Sequence, residues 1–246
     1  AVPFALDTLV VLASVSVVVG SVLAVLRSDL KRMLAYSSVA QFGLVVAGFA
    51  VVNETATLGG LVHLVGHGLM KAGLFVAVGA LATVAGGRTV DDLAGMADRA
   101  PVVSAAFAAL AFALVGVPPA VGFAGKWHIV LGAVEAGRWL VAGVAVVSTL
   151  LTLAYFARVV ERLYFRDAPA PTDLADRPDA AAAADPDADA ALTADGSGSA
   201  AGTAVPTVTT RARVIVVAAA VAAVVLGVFA TDLIALFEPV VEVSFQ

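Results

Sequence analysis

Val117-Pro118-Pro119-Ala120-Val121-Gly122-Phe123-Ala124-Gly125-Lys126 interrupts an apolar run, residues 101–136, in which two short helices or one broken crossing would fit. The choice between them fixes the fold. A hydrocarbon core of about 30 Å takes roughly 20 helical residues. Leu6–Leu26, Met33–Val52, Leu58–Ala85, Trp139–Tyr164 and Val214–Leu236 each meet that length without interruption. Counting positive charge settles the ambiguous run. If residues 101–136 cross once with an unwound centre, Arg27, Lys31, Arg32, Arg88, Arg99, Arg158, Arg162, Arg166, Arg177, Arg211 and Arg213 fall on one side. Arg138 stands alone opposite, 11 against 1. If the run crosses twice, the split is 6 against 6. Basic loops stay in the cytoplasm, so a single broken crossing is expected, with its break at 117–125 and Pro118, Pro119, Gly122 and Gly125 as hinge. The fold class that follows is all-α integral membrane, with six crossings, one of them discontinuous. Ala1 and Gln246 are expected outside, in a cell-membrane, multi-pass topology.

Composition agrees. The chain has 246 residues, 61% hydrophobic and 13% charged, against roughly 25% charged in soluble domains. It contains no cysteine, which excludes disulfides and Cys-based metal or haem sites. With three histidines, no metal and no cofactor are expected. The net charge of −5 arises in one place, since eight aspartates lie between Asp167 and Asp195. Residues 167–210 are rich in Ala, Asp, Gly, Ser and Pro, and bury too little to fold. They read as a disordered cytoplasmic linker, and an acidic, Lys-poor linker hints at a salt-adapted (halophile) organism. The chain thus divides into a transmembrane unit at 1–166, the linker at 167–210, and a final helix with an outer tail at 211–246. No basic patch interleaved with aromatics suggests nucleic acid. Ala1 is not an initiator Met and no basic region precedes Leu6, so no signal peptide is expected and the start fits that of a fragment.

Two lysines stand inside apolar runs. A lysine at the centre of a membrane helix costs about 2.5–3.5 kcal/mol on insertion scales, so intramembrane lysines mark partners or hydrated routes. His63, His67 and Lys71 are spaced i, i+4, i+8 and share one helix face. The bland alternative has both histidines bonded to carbonyls and Lys71 paired with an acidic residue. The stacked pair ending in a lysine favours a proton relay, because histidine titrates near neutrality and burial disfavours a charged amine. Lys126 follows the break. It reads either as an interfacial lysine snorkelling beside Trp127 or as a functional group at the start of the second half-helix. The dipole there disfavours a cation. Broken helices do build ion sites in transporters. Lys31, in Asp29-Leu30-Lys31-Arg32, reads equally as a topology anchor and as a functional residue. Arg158, Glu161 and Arg162 have the spacing of a helix-end ion pair. Glu54, Glu135 and Asp7 are expected to be solvated. No nucleophile with a base, no phosphate-cradling loop and no paired carboxylates occur, so the chain reads as part of a transporter and not as an enzyme.

These motifs are also familiar as a set. Asp29-Leu30-Lys31-Arg32-Met33-Leu34-Ala35-Tyr36-Ser37-Ser38-Val39-Ala40-Gln41-Phe42-Gly43 closely resembles a signature of the proton-translocating antiporter-like family. So do His63-Leu64-Val65-Gly66-His67-Gly68-Leu69-Met70-Lys71 and Val117-Pro118-Pro119 followed by Gly122-Phe123-Ala124-Gly125-Lys126. Asp92-Leu93-Ala94-Gly95-Met96 before Arg99-Ala100-Pro101 is similar to the family's loop ahead of its broken helix. That family comprises the A-type and D-type subunits of multisubunit Na⁺/H⁺ (Mrp-type) antiporters and the L-, M- and N-type membrane subunits of respiratory complex I. The resemblance covers about residues 20–165. It implies two inverted five-helix repeats, of which this chain is similar to the second plus a last helix. It also implies a buried relay in which Lys126, Lys71, His67, His63 and Lys31 take part. The first repeat would come from another chain or segment, and the remaining partners would be other subunits of the assembly. Lysine at 126 is more similar to the antiporter's D-type subunit, or to the L-type subunit of complex I, than to the M-type. Proton-for-Na⁺ exchange is therefore the first expectation. A proton-pumping membrane component of a complex I-like NADH/quinone or related dehydrogenase is the alternative. The acidic insertion before the last helix departs from the family pattern.

Overall fold

A computed structural model of the chain describes residues 2–167 and 207–245. Residues 168–206, most of the expected linker, lie outside them. The described residues form helices joined by short turns. They are α1 (Val2–Leu26), α2 (Leu30–Ala50), α3 (Glu54–Ala85), the single turn α4 (Met96–Arg99), α5 (Pro101–Val115), α6 (Val121–Glu135), α7 (Trp139–Phe165), α8 (Thr210–Val228) and α9 (Ala230–Phe245). Five of these, α1, α2, α3, α7 and α8, are long and apolar enough to cross a membrane, and α5 is a shorter apolar helix.

Local chemistry sets the boundaries. The Asp29 side chain accepts the Arg32 N–H at 2.8 Å and caps α2; Asn53 caps α3 by accepting the Ala56 N–H at 3.0 Å. Both are short polar side chains of the kind that satisfy orphan donors at helix starts. Gly86, at φ 75°, closes α3 in the left-handed conformation, which glycine adopts without a steric penalty. Pro101 occupies the first turn of α5, where its missing N–H costs nothing.

α3 is the central helix, packed against α2, α5, α6, α8 and α9. One core surrounds it, including Met70, Leu74, Leu81, Phe107, Leu110, Leu114 and Phe156. The broken crossing differs in detail from expectation. α5 ends at Val115 and α6 begins at Val121, so the break spans residues 116–120 and not 117–125. Gly116 at φ 103° terminates α5, and the Pro118–Pro119 peptide is cis. Gly122 and Gly125 belong to α6. The expected final helix is also divided, with a turn at Phe229 between α8 and α9. Just before that turn, a Cβ on Gly227 would collide with the Pro119 carbonyl, so the last crossing presses its backbone onto the break.

One end of the bundle gathers the basic residues and ties several segments together. The Leu30 N–H donates to Arg88 O at 3.0 Å and the Val90 N–H to Ser28 O at 2.9 Å. Arg158 donates to the carbonyls of Val25 and Arg27 at the end of α1. It is therefore a helix-end cap, and not the ion pair its spacing suggests. The ion pairs belong to its neighbours: Arg162 with Asp91 at 2.9 Å and, as the spacing suggests, with Glu161 at 3.5 Å, and Arg166 with Glu161 at 2.7 Å. At the opposite end, Arg138 pairs with Asp7 at 2.7 Å.

Candidate functional site

α3 and α6 meet along a line of glycines. A Cβ on Gly59 would strike the backbone of His128 and Ile129, one on Gly66 the Val121 side chain, and one on Gly125 the Cα and Cβ of His63 at 2.7 Å. A Cβ on Gly132 would strike the backbone N of Ala56. The contacts descend α6 as they climb α3, so the two helices run antiparallel with backbones in close approach, as small residues permit in membranes. This is the use of Gly125. Gly122 serves the same end against the Ala113 carbonyl of α5. Lys126 is thereby delivered to the neighbourhood of His63.

His63, His67 and Lys71 are buried on one face of α3, as spaced, and Lys126 is buried on α6. Lys71 lies close to the midpoint of α3. Its Nζ donates to the Leu34 carbonyl at 2.8 Å, crossing from α3 to α2. The His63 Nε2 bonds the Gln41 Oε1 at 2.9 Å, and the His63 and His67 rings stack at 6.2 Å. Phe42 closes on His67 edge-to-face at 5.0 Å. His63 Nδ1, both ring nitrogens of His67 and Gln41 Nε2 are buried without a protein partner.

Lys126 behaves differently from expectation. Its Nζ donates to Leu114 O at 2.8 Å and to Val115 O at 3.0 Å. The side chain runs back toward the start of its own helix, as helical side chains do, and passes Gly116 on the way, so that a Cβ there would lie 3.5 Å from its Cδ. The ammonium is thus at the C-terminal end of α5, whose dipole favours a cation, and not in the unfavourable field at the start of α6. The sequence explains why those carbonyls are free. In a continuing helix, Leu114 O and Val115 O would accept from the N–H groups of residues 118 and 119. Both are prolines and have none. Lys126 supplies the donors that Pro118 and Pro119 remove.

Among the described residues, neither Lys71 nor Lys126 pairs with a carboxylate. Lys31 is half-buried one turn before Leu34 on α2, the residue on which Lys71 is anchored. Sequence reasoning missed Gln41, a buried polar residue facing His63, and Gly116, whose position after an apolar run and shortly before prolines is the usual signature of a helix stop. The carbonyl partners of both lysines carry no side-chain signal at all.

Known proteins share this fold. The family described as NADH:quinone oxidoreductase/Mrp antiporter, TM, matches residues 1–152. The chain is 46% identical over 167 residues to NADH-quinone oxidoreductase subunit N of Desulforudis audaxviator, covering 68% of this chain and 33% of that protein. It is 34% identical over 181 residues to F420H2 dehydrogenase subunit N of Methanosarcina mazei, covering 70% and 37%. A chain in the structure of the Mrp complex from Dietzia sp. superposes with a TM-score of 0.80 at 30% identity, over 96% of this chain and 46% of that one. One in respiratory complex I from Thermus thermophilus superposes at 0.78 and 24% identity, over 99% and 45%. The chain spans about a third of the length of the curated relatives it matches.

Proposed function

Because this chain belongs to the NADH:quinone oxidoreductase/Mrp antiporter transmembrane family and is a multi-pass membrane protein, we propose that it forms the second-repeat part of a proton-conducting subunit in a complex I-type dehydrogenase. The observation that carries the reading is the pair of buried amines held by carbonyl oxygens alone. An amine locked onto a carboxylate stays charged. One held by carbonyls keeps a donor to offer whether or not it carries the extra proton, so both states of a relay find partners. The route runs from the basic end, past Lys31, to Lys71, through His67 and His63, and to Lys126. The unpartnered nitrogens of the two histidines and Gln41 are the positions at which water would join these groups. By the positive-inside rule the basic end faces the cytoplasm of a cell membrane. The chain carries protons and holds no redox centre; electron transfer belongs to its partners, and a chain or segment outside residues 1–246 provides the first repeat.

The sequence alone favours Na⁺/H⁺ exchange through the D-type subunit of an Mrp antiporter. The curated relatives, both named subunit N of dehydrogenases, move the dehydrogenase ahead. The Mrp reading keeps one specific support, the likeness at 30% identity to the Dietzia complex. A single design separates the two. Lys71→Ala and Lys126→Ala are placed in the full-length protein within its intact assembly, and proton movement in sealed vesicles is followed with a pH-sensitive dye after either NADH or a Na⁺ step. The expected result is NADH-driven proton movement in the parent, lost in both variants while assembly is retained. Parental rates in both variants refute the relay. A response to Na⁺ without one to NADH transfers the assignment to the antiporter.

A further inference from the structure

A second set of buried polar groups lies beside the relay. On α2, Ser37 falls between Leu34, which anchors Lys71, and Gln41, which bonds His63; the three share the buried face at i, i+3 and i+7. Ser37 Oγ and Tyr155 Oη are 2.6 Å apart and both buried. Tyr155 belongs to α7, where the same face carries Thr152, whose hydroxyl donates to Ser148 O at 2.7 Å, and Ser148, whose Oγ is 2.9 Å from Ser21 Oγ on α1. Two turns from Ser21 on the same face of α1, Ser14 is buried and its hydroxyl has no protein partner. Packing does not call for these oxygens, since phenylalanine fills the volume of tyrosine and alanine nearly that of serine.

We propose that the Ser37–Tyr155 hydroxyl pair forms a lateral branch of the proton route, passing protons from α2 to α7. This rests on the relay reading above. A hydroxyl pair suits the task because either oxygen serves as donor. One oxygen accepts a proton on a lone pair as it releases its own to its neighbour, and the neighbour releases its own to a water molecule, so every O–H bond broken is replaced and neither side chain is left charged. The pair is placed for this because its hydrogen bond joins α7 to the helix that touches both Lys71 and His63; beyond it, the Thr152 hydroxyl is committed to the Ser148 carbonyl.

The test uses Tyr155→Phe, Ser37→Ala and Ser37→Thr in the intact assembly, with Lys126→Ala alongside, reading proton movement in sealed vesicles in H₂O and D₂O. Tyr155→Phe and Ser37→Ala are expected to slow proton movement about tenfold or more and to change the solvent isotope effect, whereas Ser37→Thr, which keeps a hydroxyl, recovers most of the rate. Parental rates for both deletions, with Lys126→Ala blocked, overturn the branch and leave the relay standing. Equal loss in Ser37→Ala and Ser37→Thr also overturns it, because the effect is then one of shape. If Tyr155→Phe does not assemble, Ser37→Ala decides alone. A parental rate in Lys126→Ala removes the relay, and the branch with it.

Discussion

Lys71 and Lys126 are both buried amines, yet the helices that receive them are opposites. Lys71 reaches into the side of an intact helix, where the Leu34 carbonyl also accepts the Ser38 hydroxyl at 3.1 Å. Lys126 reaches the severed end of α5, where two carbonyls have lost their backbone donors to Pro118 and Pro119. The first amine is a guest at a site that is satisfied without it. The second completes the backbone. An apolar interior tolerates irregular backbone where other groups re-satisfy it, so the break and its lysine depend on one another.

The largest effect that tests this contrast is on stability. Lys126→Met is expected to lower the thermal stability of the assembled protein relative to Lys71→Met by about 2 kcal/mol or more, because a buried unsatisfied carbonyl costs roughly 1–3 kcal/mol. Lys71→Met removes a buried amine and leaves Leu34 O with a partner, so it is close to neutral. Equal melting temperatures in detergent would break the comparison. A smaller effect comes from Gly116→Ala combined with Pro118→Ala and Pro119→Ala. With the left-handed turn and both prolines removed the helix continues, new N–H groups take over Leu114 O and Val115 O, Lys126 loses its seat, and proton movement falls severalfold while Lys71 is undisturbed; an unchanged rate would show that the carbonyls do not hold Lys126 in place. Smallest is Gln41→Ala, which strips His63 of its protein partner. About 1 kcal/mol of stability and a several-fold drop in proton movement are expected, and a loss of stability alone would make Gln41 a packing residue.

Most of the architecture was legible. Long apolar runs placed the crossings, and the uneven distribution of arginine reported one broken crossing where length alone was ambiguous. The buried face of α3 that holds His63, His67 and Lys71 followed from a spacing of four. What stayed hidden is the part written in the backbone. Nothing in the side chains of Leu34, Leu114 or Val115 announces a carbonyl acceptor, so sequence alone assigns Lys126 to the dipole of its own helix instead of its neighbour's. Gly122 and Gly125 pass for hinge residues because glycine serves flexibility and close approach equally well, and only the contact with His63 separates the two. The turn at Phe229 has no local signature. It lies where Gly227 meets the break, a contact between segments more than a hundred residues apart.

The seam of glycines between α3 and α6 carries a mechanical implication. Helices that touch backbone to backbone from Ala56 to His63 have little room to slide or tilt against each other and behave as a single stiff strut. In the relay proposed above, charge passing between His63 and Lys126 then needs only torsions of side chains, which are far quicker than rearrangements of whole segments. Any slow gate in the protein has to lie away from this strut.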